Sequence, residues 1–244
     1  IHAKENLFLN QDVNDLAIIN IDNSECSKLV KKINKREIKP NIIKISKYKR
    51  LNNTIYIDGD KIYDNLANKN IFIANISDIS SLIGSHNIEN ILISIATALY
   101  FGVTHSQIKK YLPAFKGLPN RLEVIYEDSN LRIINDSKST NLVSCKVALN
   151  CFKNIIWIAG GKRKNDELKY LRSNIKDIKA AYFIGESADE FVNYFNDKFF
   201  CKNSIHIKDA LEDAVGYTKN IIGRPTILFS PGCSSFDQFK NYEE

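Results

Sequence analysis

The sequence contains no methionine among its 244 residues, not even at position 1. Because an open reading frame begins with methionine, this absence predicts that the chain is a piece of a longer protein. No apolar run approaches the roughly 20 residues that cross a bilayer. Ile1–Lys4 leads into an amphipathic stretch rather than a secretory signal. We therefore expect no membrane partner.

Cysteine and histidine are also scarce and scattered. The five cysteines are odd in number and show no C-x-x-C spacing, and the four histidines form no cluster in the sequence. These facts argue against a disulfide framework and a zinc site, and they predict a reducing, cytoplasmic compartment. The formal net charge is +6, but the lysines are spread along the chain without a basic helix. We therefore expect no nucleic-acid partner, whereas anionic small substrates such as nucleotides would suit this charge.

Short apolar runs alternate with helical patterns along the chain, which predicts the α/β class. The pattern is clearest beyond Leu131, where strands such as Ile155–Ala159 and Thr226–Ser230 are separated by helices. Such alternation predicts a mostly parallel sheet that is covered on both faces. The segment Phe115–Asn120 combines glycine and proline between two structured regions, so we place a domain boundary there.

Turn and cap residues predict several element ends in the first half of the chain. Gly59-Asp60 lies between two strand-like segments and indicates a hairpin. Thr104 and Gln107 have the spacing of a capping box. Ser85 is the predicted N-cap of the long helix that follows it.

Four polar clusters follow predicted strands, at the edge where ligands bind in parallel sheets. This topology predicts one binding site that is built from several loops. The clusters are residues 135–141, 160–166, 185–186 and 230–237.

The first cluster offers groups for nucleotide and carboxylate binding. Asp136 could hold a Mg²⁺-bound nucleotide or a ribose hydroxyl, Lys138 could neutralise phosphate, and Thr140 could donate to a carboxylate. An ordinary solvated turn is at least as well supported by composition, with Asn141 capping the helix that follows.

The second and last clusters suit anions. Gly160-Gly161 precedes three cations that end at Lys164, a pattern typical of anion binding but also of a plain turn with exposed lysines. The last cluster lacks the G-x-S-x-G spacing and has no nearby histidine, which disfavours a hydrolase nucleophile. Its hydroxyl groups precede a predicted helix from Phe236 and suit a bound carboxylate, with a simple helix cap as the alternative.

Two motifs outside these clusters also carry polar groups. Arg121, at the predicted boundary, could contact a phosphate through two hydrogen bonds or pair with a neighbouring acid. Asn87 and Asn90 open the long helix, where they could bind a purine edge or simply cap the helix.

Taken in order, these motifs resemble those of the Mur ligases. The family's serine-proline-alanine-cysteine-alanine-serine run, continued by aspartate-glutamine-phenylalanine-lysine-asparagine, is similar to Ser230–Asn241, with Gly232 in place of an alanine. Gly117–Glu123, residues 135–141 and the helix start His86–Asn90 also match motifs of the family. The resemblance covers essentially the whole chain, and its last motif points to the branch that adds D-glutamate.

The resemblance implies a partial central ATPase domain at residues 1–115 and a Rossmann-like, amino-acid-binding C-terminal domain at 116–244. It implies a monomeric enzyme of peptidoglycan synthesis that uses ATP and Mg²⁺. Such an enzyme joins D-glutamate to UDP-N-acetylmuramoyl-L-alanine through an acyl phosphate. Another amide ligase of this fold, such as a folylpolyglutamate synthase, or a non-catalytic nucleotide-binding module is the alternative.

The resemblance also implies roles for individual residues. Catalytic roles fall on Lys4, Arg121 and Lys138, and Lys4 is further implied to become a carbamate that ligates Mg²⁺. The implied ATP contacts are Asn87, Asn90, Arg121 and Asp136. The implied D-glutamate pocket consists of Thr140, Lys164, Ser235, Phe236 and Tyr242.

The chain departs from the family pattern in two respects. The phosphate-binding loop with its G-K-S/T ending is absent, as are the acidic and histidine metal ligands of the central domain, so we expect the chain alone to be inactive. The segment Gly160–Asp166 is shorter than in the family, so Lys162 is an alternative to Lys164 in the amino-acid pocket.

Overall fold

A computed structural model describes residues 5–164 and 167–241, and the chain divides into two compact units, Ile1–Lys116 and Gly117–Glu244. Each unit contains one sheet with helices packed against it, which confirms the predicted α/β class. Among the described residues, no helix combines the length and the apolar character needed to span a bilayer.

The sheet of the first unit has five strands in the order β1-β2-β3-β4-β5. The first three run parallel, and β4 and β5 are each antiparallel to the preceding strand. The hairpin predicted at Gly59-Asp60 joins β3 to β4 and is confirmed. The strands are β1 Leu16–Asn20, β2 Asn41–Ser46, β3 Thr54–Asp58, β4 Lys61–Asp64 and β5 Ile71–Asn75.

Helices α1 (Ser24–Asn34), α2 (Ser85–Tyr100) and α3 (His105–Tyr111) cover this sheet. The capping box of Thr104 and Gln107 is present at the start of α3. The prediction that Ser85 is the N-cap of α2 is wrong, because Ser85 is already helical. Gly84 occupies the cap position and makes no side-chain hydrogen bond there. Short 3₁₀ helices lie at Asn6–Phe8 and Ile76–Asp78.

The sheet of the second unit has six strands in the order β10-β9-β8-β11-β7-β6. All neighbours are parallel except β6 and β7, so the predicted mostly parallel sheet is confirmed. The strands are β6 Glu123–Glu127, β7 Arg132–Asn135, β8 Ile155–Gly160, β9 Ile178–Ile184, β10 Phe200–Ile205 and β11 Thr226–Phe229.

Strand β8 is buried along its whole length, because helices cover both faces of the sheet at this position. Ile156 and Ile158 face α6, whereas Trp157 packs on the other face against aromatic side chains of β9 and α5. The helices are α4 Leu142–Leu149, α5 Ala188–Phe195 and α6 Ile207–Tyr217, with 3₁₀ helices at Leu168–Asn174 and Thr218–Asn220.

Candidate active site

The loops that follow β7, β8, β9 and β11 contain the four polar clusters. These strands are parallel neighbours in the sheet, so their carboxyl ends lie at the same edge. The predicted convergence of the clusters is therefore confirmed. A groove of about 680 Å³ opens at this edge.

Three of the predicted site residues line this groove: Lys138, Thr140 and Ser235. Its floor is the apolar face of the sheet, with Ile158 and Ile227 among the lining side chains. The other described candidates of this unit, namely Arg121, Asp136, Lys164 and Phe236, lie outside the lining, and 68% of the Phe236 surface is exposed.

Backbone hydrogen bonds, one of them to Asn120 outside the loop, hold the loop at residues 135–141. The Lys138 N–H donates to the Asn120 carbonyl at 3.1 Å, and the Thr140 N–H donates to the Lys138 carbonyl at 3.0 Å. Asn141 caps α4 by accepting the Ser144 N–H at 2.9 Å, so the predicted cap is confirmed. The cap fixes the backbone from which Lys138 and Thr140 reach the groove.

Asp136 is only 8% exposed and braces three segments of the second unit. Its Oδ2 accepts the Ser230 hydroxyl at 2.8 Å, and its Oδ1 accepts the Leu122 N–H at 3.2 Å. Burial raises the pKa of the Asp136 carboxyl, and these hydrogen bonds oppose the rise. Both oxygens are thus engaged within the protein, and a nucleotide contact would have to share them.

The backbone N–H groups of Gly160-Gly161 are already used within the protein. The N–H groups of Gly160 and Gly161 donate to the carbonyls of Pro231 and Ile184, at 3.0 Å each. A Cβ atom on Gly160 would lie 2.1 Å from the Ile184 oxygen. The two glycines thus allow close packing of two strand ends, and both also line the groove. Anion binding by this loop stays a prediction.

The cations that follow differ in their surroundings. Arg163 forms an ion pair with Glu190, so much of its charge is neutralised within the protein. Lys162 and Lys164 are exposed, and the Lys162 backbone forms an antiparallel bridge with Ser234. Among these three residues, the two lysines are therefore the stronger candidates for binding an anion.

The loop after β11 contains no helix within the described residues, so the helix predicted from Phe236 is wrong. A single turn forms instead, in which the Ser235 carbonyl accepts the N–H groups of Gln238 and Phe239 at 3.0 and 2.9 Å. The Asp237 and Gln238 side chains of this turn bind Glu186 and Ile205, which are distant in the sequence. Tyr242 lies outside the described residues.

In the first unit, Asn87 and Asn90 lie in the first two turns of α2, at the start of the long helix as predicted. The Asn87 amide donates to the Ile83 carbonyl at 2.8 Å, and the Asn90 amide donates to the Asn87 side chain at 3.1 Å. These bonds favour the alternative in which the two side chains support the helix start. Lys4 lies outside the described residues.

Three further groove residues received no individual role from the sequence. The Asn135 amide donates to the Asn120 side chain at 2.8 Å, and both residues line the groove. Asp237 also lines it, and its carboxylate accepts the Glu186 N–H at 2.8 Å. The position of Asn135 and Asp237 near the carboxyl ends of parallel strands was the only signal in the sequence. Their hydrogen-bond partners are distant in the sequence and could not be inferred from it.

Within residues 5–164 and 167–241, no group of three or more His, Cys, Asp and Glu side chains could hold a metal ion. On geometric grounds, therefore, none of the described residues is assigned to the implied Mg²⁺.

Residues 1–98 match the sequence profile of the Mur ligase middle domain. This match shows that residues 1–98 belong to the Mur ligase middle-domain family, and the relatives described next extend the similarity to the rest of the chain. The relatives, from Bartonella henselae and Rickettsia felis, are 32% and 36% identical, and the matches cover 100% of this chain. Both relatives are named UDP-N-acetylmuramoylalanine–D-glutamate ligase.

The chain spans about half the length of these relatives, at 51% and 53% respectively. Among solved structures, a UDP-N-acetylmuramoyl-L-alanyl-D-glutamate–2,6-diaminopimelate ligase superposes with a TM-score of 0.59. It is 15% identical, and the match covers 95% of this chain and 50% of that protein. At this identity the likeness supports the fold alone.

Proposed function

We propose that the protein to which this chain belongs is an ATP-dependent ligase that adds D-glutamate to UDP-N-acetylmuramoyl-L-alanine in peptidoglycan synthesis. The observation that carries the proposal is the similarity, over the whole chain, to relatives that bear the name of this activity. The groove at the carboxyl edge of the second sheet supports it, because Lys138, Thr140 and Ser235 in its lining suit an anionic amino acid.

The reaction takes place in two steps. ATP phosphorylates the carboxylate of the L-alanine moiety, and the D-glutamate amine then attacks the acyl phosphate, from which phosphate leaves. The protein contributes by holding the amine in line with the acyl carbon and by neutralising charge that develops at the phosphoryl group. We assign Lys138 and Arg121 to this neutralisation.

The groove offers groups for the two carboxylates of D-glutamate. Thr140 and Ser235 line it and carry hydroxyl donors, while Lys138 adds a positive charge to the same lining. Lys164 lies exposed on the neighbouring loop after β8. Charge-assisted hydrogen bonds of this kind are the stronger class in proteins. The resemblance also assigns Phe236 and Tyr242 to the D-glutamate site, although Phe236 lies outside the groove lining.

The nucleotide contacts are proposed on weaker structural support. Asn87 and Asn90 are assigned to the adenine and Arg121 to the phosphates. Asp136 is assigned to the ATP as well, although its two carboxylate oxygens already accept hydrogen bonds from Ser230 and Leu122.

Lys4 is assigned to the Mg²⁺ site as its carbamate. In the complete enzyme, Lys4→Ala should lose activity and regain it with added acetate or formate, and full activity without either would refute the assignment.

The sharpest test of the amino-acid site is Lys164→Ala in the complete enzyme. We expect a rise of about 10-fold or more in KM for D-glutamate, because a charge-assisted bond worth roughly 1.5–3 kcal/mol is lost. The KM for ATP should change little. Lys162→Ala is the matched control, since it removes an exposed lysine from the same loop. If only Lys162→Ala raises KM for D-glutamate, Lys162 takes the role of Lys164.

Phosphate release with a panel of acceptors and amino acids distinguishes the proposed ligase from the alternative ligases. The complete enzyme should release phosphate with UDP-N-acetylmuramoyl-L-alanine and D-glutamate, but not with folate substrates or with the next acceptor of the pathway. The 244-residue chain alone should release no phosphate, because its sequence lacks a G-K-S/T phosphate loop. Phosphate release by this chain alone would overturn that expectation.

A further inference from the structure

Two consecutive side chains of the loop after β11 reach the ends of two neighbouring strands. The Asp237 Oδ2 accepts the N–H of Glu186, which follows β9, at 2.8 Å. The Gln238 amide donates to the carbonyl of Ile205, the last residue of β10, at 2.7 Å. Because β9 and β10 pair directly, this dipeptide ties one loop to two adjacent strand ends.

The contact of Asp237 is close and specific. A Cβ atom on Gly185 would lie 2.2 Å from the Asp237 Oδ2, so the carboxylate fills the space beside this glycine. The Asp237 Oδ1 is buried and makes no hydrogen bond to any described residue. The Gly185 N–H donates to the same Ile205 carbonyl that Gln238 binds, at 3.3 Å. The loop after β11 and the ends of β9 and β10 therefore meet at the dipeptide Asp237-Gln238.

Ser235 lies between two anchors of this loop. On one side, Ser234 and Lys162 exchange two backbone hydrogen bonds, at 2.8 and 3.0 Å. On the other side, the Ser235 carbonyl closes the turn that leads to Gln238. The direction in which Ser235 faces the groove thus depends on where Asp237 and Gln238 are held.

We propose that Asp237 is a positioning residue that, together with Gln238, fixes the Ser235 turn in the D-glutamate site. This inference rests on the proposed function, in which Ser235 donates to a carboxylate of D-glutamate. Asp237, which lines the groove, acts in this proposal through the backbone of the Gly185-Glu186 turn rather than through a bond to the substrate. Removing its carboxylate leaves a backbone N–H without its acceptor and lets the turn move away from the groove.

The test compares three variants of the complete enzyme. Asp237→Ala removes the acceptor, Asp237→Asn keeps an oxygen that can accept the same N–H, and Asp177→Asn is the matched control. Asp177 pairs with Lys153 and precedes β9, at the opposite edge of the sheet. We expect Asp237→Ala to raise KM for D-glutamate about 10-fold or more, with KM for ATP within about twofold. Asp237→Asn should restore most of the loss, and Asp177→Asn should match the wild type.

Amide hydrogen exchange at Glu186 is measured in the same proteins. It should accelerate in Asp237→Ala and return towards the wild-type rate in Asp237→Asn, whichever substrate the enzyme uses. Unchanged exchange, or accelerated exchange with an unchanged KM for D-glutamate, overturns the positioning role. If wild-type turnover does not require D-glutamate, the proposed function fails while the exchange still reports on the contact.

Gln238→Ala provides a second test of the inference in case Asp237→Ala does not fold. It removes only the side-chain bond to Ile205 and should raise KM for D-glutamate in the same direction as Asp237→Ala, by a smaller factor. If Asp237→Ala cannot be purified and Gln238→Ala leaves this KM unchanged, the inference is wrong.

Discussion

In the first unit, α2 and α3 pack on one face of the sheet, whereas α1 packs on the other face mainly beside β1. Beyond α1, that second face presents Tyr56, Tyr63 and Phe72 as an aromatic row across β3, β4 and β5. Phe72 is 37% exposed. In the second unit, α5 and α6 pack on opposite faces of β8, β9 and β10.

The difference shows where each unit gains its stability. Trp157, Phe183, Phe191 and Phe195 form one fully buried aromatic cluster in the second unit. In the aromatic row of the first unit, Tyr56 is buried, but Tyr63 is only half-buried and Phe72 is exposed. Since the free energy of burial scales with the apolar area removed from water, the second unit has the more complete core.

The largest effect that tests this comparison is expected from Phe195→Ala. The side chain is fully buried against Trp157 and Phe183, so its loss should cost about 3–5 kcal/mol of unfolding free energy. Phe72→Ala should cost roughly 1 kcal/mol, since less area is involved. The fluorescence of Trp157, the single tryptophan, follows the first variant in denaturant, and circular dichroism follows the second. Equal losses would break the comparison.

A second contrast concerns two glycines with positive φ angles. Gly160 has a φ of 120° and no room for a Cβ atom, whereas Gly59 has a φ of 59° and nothing within 4 Å of that position. Gly160→Ala should therefore cost about 3 kcal/mol or more, and Gly59→Ala about 1 kcal/mol. Thermal unfolding of each variant beside the wild type provides the measurement. A mild effect of Gly160→Ala would show that the strand ends can separate easily.

A helix cap should contribute about the same unfolding free energy in either unit, because it acts only on the first turn of its own helix. Thr104→Ala removes the capping box of α3, and Asn141→Ala removes the cap of α4. Each should lower the unfolding free energy by about 1 kcal/mol. Thr104→Ser and Asn141→Asp keep an acceptor and serve as controls. A much larger loss for Asn141→Ala would mean that this residue supports more than its helix.

The smallest expected effect is the pH dependence that Asp136 confers. Its folded-state pKa is raised by burial, so its contribution to stability is fully present below the ordinary pKa of about 3.9 and is lost as the pH rises through the folded value. Asp136→Asn has no charge to bury. Its melting temperature relative to the wild type should therefore increase between pH of about 4 and about 7. A constant difference across that range would contradict the assignment.

Local features could be predicted from the sequence because their partners lie within a few residues. The hairpin of β3 and β4 follows from Gly59-Asp60, and the caps at Thr104 and Asn141 follow from side chains that bind the next helical turn. The shared edge of the four polar loops was predictable as well, since parallel strands align their carboxyl ends.

Features that depend on distant partners could not be predicted in this way. The segment from Phe236 has a plausible helix start, yet Asp237 and Gln238 bind Glu186 and Ile205 and hold the chain in a single turn. Gly160-Gly161 has the composition of an anion-binding loop, yet its N–H groups are used by carbonyls of other loops. In both cases tertiary contacts outweigh the local pattern.

The position of β11 has a consequence for how the second unit forms on the ribosome. Thr226–Phe229 pairs with β7 on one side and with β8 on the other, although both precede it by many residues. A nascent chain therefore carries β6–β7 and β8–β10 as two separate pieces, each with an unpaired strand edge, until β11 emerges. Such edges invite association between chains. Release of a product truncated before Thr226 should consequently favour aggregation over partial folding.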